Sequence, residues 1–173
     1  PTFPEVTGDT RRMNSNHAVA TVIDAYNKGL RSFDLEKAYA ACKAAIEEKT
    51  LIPWSAKPAG WLDNFYKEHG YIPALRPGEK ETSYDQWCLS QIAKELNKED
   101  EAAHYLKCSY NYRNVFNPET GFFHPKDKDG KFITPLDYRY DGGLGARDYY
   151  GENNGYIYRW DVQHNIADLI QLV

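Results

Sequence analysis

Val19, Ile23, Tyr26 and Leu30 recur at the spacing of one helix face behind Asn16, which can cap it, and this predicts a first helix ending near Gly29. Asp34 opens a second, in which Leu35, Ala38, Cys42 and Ala45 line a stripe while Lys37, Lys43 and Glu47 face water, up to about Thr50. Pro53 and Pro58 make Leu51 to Gly60 a loop, and a short helix across Leu62, Phe65 and Tyr66 stops at Gly70. After a second Pro and Gly loop, Pro73 to Gly78, the stripe Leu89, Ile92, Ala93 and Leu96 predicts a helix from about Ser83 to Leu96. Asn97 separates it from a partner that starts near Glu99, carries Ala103, Leu106, Tyr110 and Arg113 on one face, and ends at Asn117 and Pro118. The pair reads as a tight αα-hairpin.

Helical period is lost from Pro118 to Gly155, where Asp127-Lys-Asp129-Gly130 predicts a turn between two short strands, Gly121 to His124 and Lys131 to Thr134. A last helix follows from about Val162 to Leu172. Paired helices joined alternately by short turns and long polar loops imply an all-α fold of layered αα-hairpins, with long loops and one small β-hairpin. Long loops of this kind are commonly functional.

Composition narrows the function. The 173 residues suit one domain, and 25 acidic against 21 basic side chains, with no basic run, argue against a nucleic-acid partner. The apolar runs fall far below the ~20 residues of a membrane helix. The aromatic share is 14%, with 14 Tyr and 4 Trp, yet the mean hydropathy is only -0.72. Tyr and Trp fill a core sparing in Met, or grip a hydroxylated ring such as a sugar, and composition leaves both open. Cys42, Cys88 and Cys108 form no CxxC pair and read as buried reduced thiols. The chain starts with Pro and shows no signal-peptide succession, which reads as processing or excision from something larger.

Few residues are placed to carry chemistry. Glu79, Glu81 and Asp85 cluster where a helix starts, and its dipole favours carboxylate anions there. Thr82-Ser-Tyr-Asp85 also fits a capping box, so Asp85 is either a cap or a catalytic group. Glu81, between a Pro/Gly loop and a helix carrying Tyr84 and Trp87, suits a general acid. Gly151-Glu152-Asn153-Asn154-Gly155 offers hard oxygen ligands of the kind calcium prefers, but is equally an Asx-rich turn. His17, His69, His104, His124 and His164 lack the spacing of a zinc motif, and no GxSxG, P-loop or GxGxxG occurs.

Several stretches together carry a resemblance: Met13-Asn-Ser-Asn-His-Ala, Val22-Ile-Asp-Ala-Tyr-Asn-Lys-Gly, Gly70-Tyr-Ile-Pro-Ala-Leu, Ser83-Tyr-Asp-Gln-Trp and Asn111-Tyr-Arg-Asn-Val-Phe-Asn-Pro-Glu-Thr-Gly-Phe. They resemble glycoside hydrolase family ninety-two. Glu152-Asn-Asn-Gly-Tyr-Ile-Tyr-Arg-Trp-Asp-Val-Gln-His is similar to that family's EGNAWQYTWFVPHD signature, with Ile157 in place of Gln and Asn165 in place of Asp.

The resemblance implies a calcium-dependent, inverting exo-α-mannosidase built from a β-sandwich and an (α/α)6 barrel. Residues 1–173 are then expected to be a single partial barrel domain without the β-sandwich. By the match, Glu81 stands where the family's proton donor precedes its YDDW-like motif. Glu152 and Asn154 are implied as calcium ligands, Glu152 also touching mannose, and His17 and Trp87 as substrate-binding residues. The stretch before Ser83 is shorter than the family's, which leaves Glu81's alignment open. No GNDD-type motif appears, so the general base is expected to lie elsewhere, since an inverting glycosidase needs two carboxylates.

The implied partners are mannose-containing glycans, α-1,2-linked or related, and the implied location is the periplasm or cell surface. Helix faces meant for missing neighbours predict self-association. Two alternatives are a degenerate carbohydrate-binding fragment without turnover and a helical interaction piece that binds neither sugar nor metal.

Overall fold

The computed structural model describes residues 4–5, 8–9, 17–47, 60–74, 82–139, 149–150 and 153–173. Among these the chain is mostly helical, with α1 (Ala18–Asn27), α2 (Leu35–Glu47), α3 (Gly60–His69), α4 (Thr82–Glu95), α5 (Glu99–Cys108), α6 (Gly155–Tyr158) and α7 (Ile166–Leu172). Two antiparallel pairs of two-residue strands join β1 (Pro4–Glu5) to β2 (Gly8–Asp9) and β3 (Phe116–Asn117) to β4 (Phe122–Phe123). No helix among the described residues is long and apolar enough to cross a membrane. The chain forms two compact units, Pro1–Asp63 with Glu81–Tyr110, and Asn64–Lys80 with Asn111–Val173.

In the first unit α4 packs against α1, α2 and α5, because its stripe Cys88, Leu89, Ile92 and Ala93 is fully buried. Val19 and Ile23 of α1, Tyr39 and Cys42 of α2 and Tyr105 of α5 close the core around it. The expected α4–α5 hairpin is present. Its turn places Asn97 in the left-handed region at φ 57°, which asparagine tolerates, and the Lys98 N–H reaches the Ala93 carbonyl at 2.9 Å. Asp34 starts α2 as expected, its Oδ1 accepting the Lys37 N–H at 3.0 Å. Between α2 and α5 the hydrogen bonds are reciprocal. The Tyr39 hydroxyl and the Lys43 ammonium (3.0 Å) donate to Glu101, and the Tyr105 hydroxyl donates to Glu47. Burial first, and then the bonded carboxylate, pushes both phenols far above their ordinary range.

Several expected boundaries move. His17, not Asn16, is the cap residue of α1, and its side chain makes no capping bond; Asn16 lies outside the described residues. The helix expected to reach Asn117 ends at Cys108, where the Ser109 hydroxyl donates to the Leu106 carbonyl at 2.7 Å and a 3-10 turn, Asn111–Val115, takes over.

In the second unit the strand around Phe122 pairs backward rather than forward. Asn117-Pro-Glu-Thr-Gly121 is itself a tight turn, with the Gly121 N–H on the Asn117 carbonyl at 2.8 Å and Gly121 at φ 71°, so Phe123 lies opposite Phe116. The expected second strand leaves only one bridge, Lys126 to Phe132, although the turn at Asp127 forms. Gly70, at φ 70°, cannot be replaced without a clash, since a Cβ would sit 2.5 Å from Asn114 Nδ2. The last expected helix is shorter, because Asn165 caps α7 through the Asp168 N–H.

Tyr112, Phe116, Phe123, Val162 and Leu169 form this unit's core, fastened at one edge by Asp168. That carboxylate accepts from Arg113 Nε at 2.9 Å, from Arg113 Nη2 and from the Tyr112 hydroxyl. The Arg113 bonds, then the Tyr112 bond, hold Asp168 below its ordinary value of 3.8. A carboxyl whose pKa is lowered by folding stabilises the fold above its unfolded pKa and loses that contribution as pH falls through the folded one. Urea midpoints of the second unit are therefore expected to fall below about pH 4, and Asp168→Asn is expected to flatten that acid limb. An unchanged limb would contradict the clamp.

Candidate functional site

The first unit brings two of the sequence-derived candidates to α4. Its first turn carries Asp85, whose side chain is 2% exposed, on the same stripe as Leu89 and Ile92. An acid on a core stripe needs a partner, because a buried unpaired carboxylate is costly. That partner is His17, at the start of α1. His17 Nδ1 lies 3.0 Å from Asp85 Oδ1, and the imidazole is 41% exposed. The capping-box reading of Asp85 missed this contact across 68 residues. The legible signal was the acid in phase with Leu89, Ile92 and Leu96.

Trp87 is half-buried and stacks on Tyr84, with ring centroids 6.3 Å apart and planes within 12°. Both are packed against the first unit's core, so part of the aromatic excess is core material. Cys88 is pushed up to about 12, chiefly by burial, and Cys42 is raised for the same leading reason. Neither is a nucleophile near neutral pH. Cys108 is half-buried rather than buried, and burial raises it too.

Asn154 belongs to the second unit and is the N-cap of α6. Its Oδ1 accepts the backbone N–H groups of Tyr156 (3.0 Å) and Ile157 (3.2 Å). A carboxamide oxygen engaged twice in this way is not offered to a cation, so Asn154 as arranged does not fit the calcium set. Among the described residues no group of three His, Cys, Asp or Glu side chains is placed to hold a metal. Glu81, Glu79 and Glu152 lie outside the described residues. Around α6, Gly155 is buried so closely that a Cβ would meet Tyr138 at 3.0 Å, and the Arg159 guanidinium lies 4.9 Å over the Phe122 ring.

The model of the glycosyl hydrolase family 92 catalytic domain matches residues 1–173, the whole chain. The chain belongs to glycosyl hydrolase family 92. Among solved structures of family 92 proteins, the inverting mannosidase of Bacteroides thetaiotaomicron VPI-5482 is 28% identical, with a TM-score of 0.79 over 95% of this chain and 22% of that one. A family 92 α-mannosidase of Bacteroides thetaiotaomicron in complex with mannoimidazole is 27% identical, with a TM-score of 0.66 over 92% of this chain and 22% of that one. This chain thus spans about one fifth of these relatives. No curated protein matches it. Its mostly helical architecture is that of a piece of the family 92 catalytic domain.

Proposed function

We propose that this chain is part of a glycoside hydrolase of the exo-α-mannosidase type, acting with inversion on α-1,2-linked or related mannose-containing glycans. The observation that carries the reading is the match to the family 92 catalytic domain over residues 1–173. The mannosidases among the solved structures, one of them holding mannoimidazole, support mannose as the sugar. Glu81 is the proton donor in this reading, placed one residue before α4, where a carboxylic acid protonates the leaving glycosidic oxygen. His17 and Trp87 bind the sugar, the imidazole by hydrogen bonding and the indole by ring contact. Inversion also needs a second carboxylate about 6.5 to 9.5 Å from the acid to activate water. No residue is assigned to that role. Calcium dependence rests on Glu152, with Asn154 committed to its cap, and no step is routed through the ion. A periplasmic or cell-surface location follows from the resemblance.

Proton NMR of α-1,2-mannobiose mixed with a family 92 catalytic domain that contains this chain, in calcium and again in chelator, is expected to show β-mannose appearing first. α-Mannose first would remove inversion, and equal rates in chelator would remove calcium. Sugar binding without release would leave a carbohydrate-binding module in place of the hydrolase.

A further inference from the structure

His104 and Cys108 lie four residues apart on α5 and share one face of it, because positions i and i+4 stand one turn above the other. Their polar tips meet: Cys108 Sγ lies 3.8 Å from His104 Nε2. His104 is exposed and Cys108 half-buried, so the pair opens to water, whereas Cys42 and Cys88 are sealed in the first unit's core. Neither His104 nor Cys108 has a part in the proposed hydrolysis.

A thiol is a weak donor and 3.8 Å is a long approach, so a hydrogen bond between the two side chains contributes little. The same separation suits a shared cation. Zinc–sulfur and zinc–nitrogen bonds of about 2.3 and 2.05 Å, meeting at the tetrahedral angle, hold their donor atoms about 3.6 Å apart. Sγ and Nε2 need to close by only about 0.2 Å to reach that edge. The imidazole is also steadied from one side. The Tyr105 ring stands edge-on to it at 5.0 Å, and Tyr105 is itself fixed by burial and by its hydroxyl's bond to Glu47.

Charge points the same way. Cys108 is the last residue of α5, where the helix dipole is negative and favours a cation. Lys107, in the same turn, is exposed, so water screens its repulsion. A thiolate with an imidazole selects borderline and soft ions over calcium or magnesium.

We infer that His104 and Cys108 form a surface site on α5 for a zinc-class divalent cation, held by Nε2 and the Cys108 thiolate while water completes its coordination. On binding, the Cys108 S–H bond breaks, a sulfur–metal bond forms, and the proton passes to water. The ion spans the final turn of α5 and so staples the helix where it gives way to the 3-10 turn. Nothing in this site depends on hydrolysis or on calcium.

Co2+ is the probe, because a thiolate bound to it gives a charge-transfer band in the near ultraviolet. It is titrated into a reduced family 92 catalytic domain that contains this chain, and into the Cys108→Ser and His104→Ala variants, so that any other thiols cancel in the difference. Wild type is expected to show the band, Cys108→Ser to lose it, and His104→Ala to bind Co2+ at least about tenfold more weakly. Zn2+ is expected to displace Co2+, and excess Ca2+ to leave it in place. Zn2+ is further expected to slow exchange of the Ser109 amide, whose N–H closes the last turn on the Tyr105 carbonyl at 2.9 Å, in wild type and in neither variant. Should Cys108→Ser lose its helical circular dichroism, His104→Ala decides, because its side chain is exposed.

Absence of the band in wild type overturns the inference. So does a band undiminished in Cys108→Ser, an affinity unchanged in His104→Ala, or displacement of Co2+ by Ca2+. Hydrolysis of mannobiose by a domain that shows no thiolate band sinks this site and leaves the activity standing. A band without hydrolysis does the reverse.

Discussion

Leu89→Ala is expected to lower the stability of the first unit by about 3 kcal/mol, the middle of the range for emptying a fully packed leucine site. Leu89 is completely buried at the centre of α4, and α4 is the element against which α1, α2 and α5 all pack. The cavity opens within the buried cluster to which Leu89 belongs, together with Val19, Ile23, Ile92 and Tyr105. The reciprocal bonds of Tyr39 to Glu101 and of Tyr105 to Glu47 hold α2 and α5 apart at a set distance. Collapse into the void is therefore restrained, which favours the full cavity penalty over a relaxed one. Native-state hydrogen exchange reads the effect: amides of residues 88–93 are expected to exchange on the order of a hundredfold faster. Those of the second unit's strands, Phe116–Asn117 and Phe122–Phe123, are expected to keep their rates. Equal acceleration in both units would mean that they unfold as one cooperative body.

In the proposed hydrolase, with this chain inside its whole catalytic domain, Glu81→Gln is expected to reduce mannobiose hydrolysis by about 10² to 10⁴-fold while leaving sugar affinity within a few-fold. Removing the proton keeps the shape but leaves the departing oxygen to leave as an alkoxide, the step a general acid exists to avoid. A substrate with a 2,4-dinitrophenyl leaving group needs little protonation, so its hydrolysis is expected to survive in the same variant. That contrast separates an acid from a structural glutamate. If both substrates fail equally, Glu81 supports the fold. If both survive, the acid is another residue, such as Glu79.

Most of the first unit was legible in the sequence, for local reasons. Leu89, Ile92, Ala93 and Leu96 keep helical phase, and Asn97 breaks it at a residue tolerant of positive φ, so α4, its turn and α5 follow from neighbours. Asp34 announces α2 by the bond it makes three residues on. The second unit hides its joints. Tyr110 and Arg113 continue the apolar and polar phase of α5, although the backbone has already tightened into a 3-10 turn. Two-residue strands carry no alternation to read, so the pairing of Phe116 with Phe123 had no signature beyond the turn at Asn117. The site divides in the same way. His17 and Trp87 stood out through motifs, whereas the contact from His17 to Asp85 is tertiary and no spacing encodes it. Asn154 matched a signature position, but its side chain caps the helix it begins.

The interleaving of the two units sets a schedule during synthesis. The first unit has all its segments once Tyr110 has left the ribosome, so its core closes early. The second unit begins with Asn64–Lys80, which emerges before its own partners exist. Its clamp waits longer: Tyr112 precedes Asp168 by 56 residues, about 3 to 11 seconds of translation at 5 to 20 residues per second. Throughout that interval the nascent chain carries a finished helical unit beside an aromatic segment still lacking its counter-ion. That interval is when chaperones have most to do.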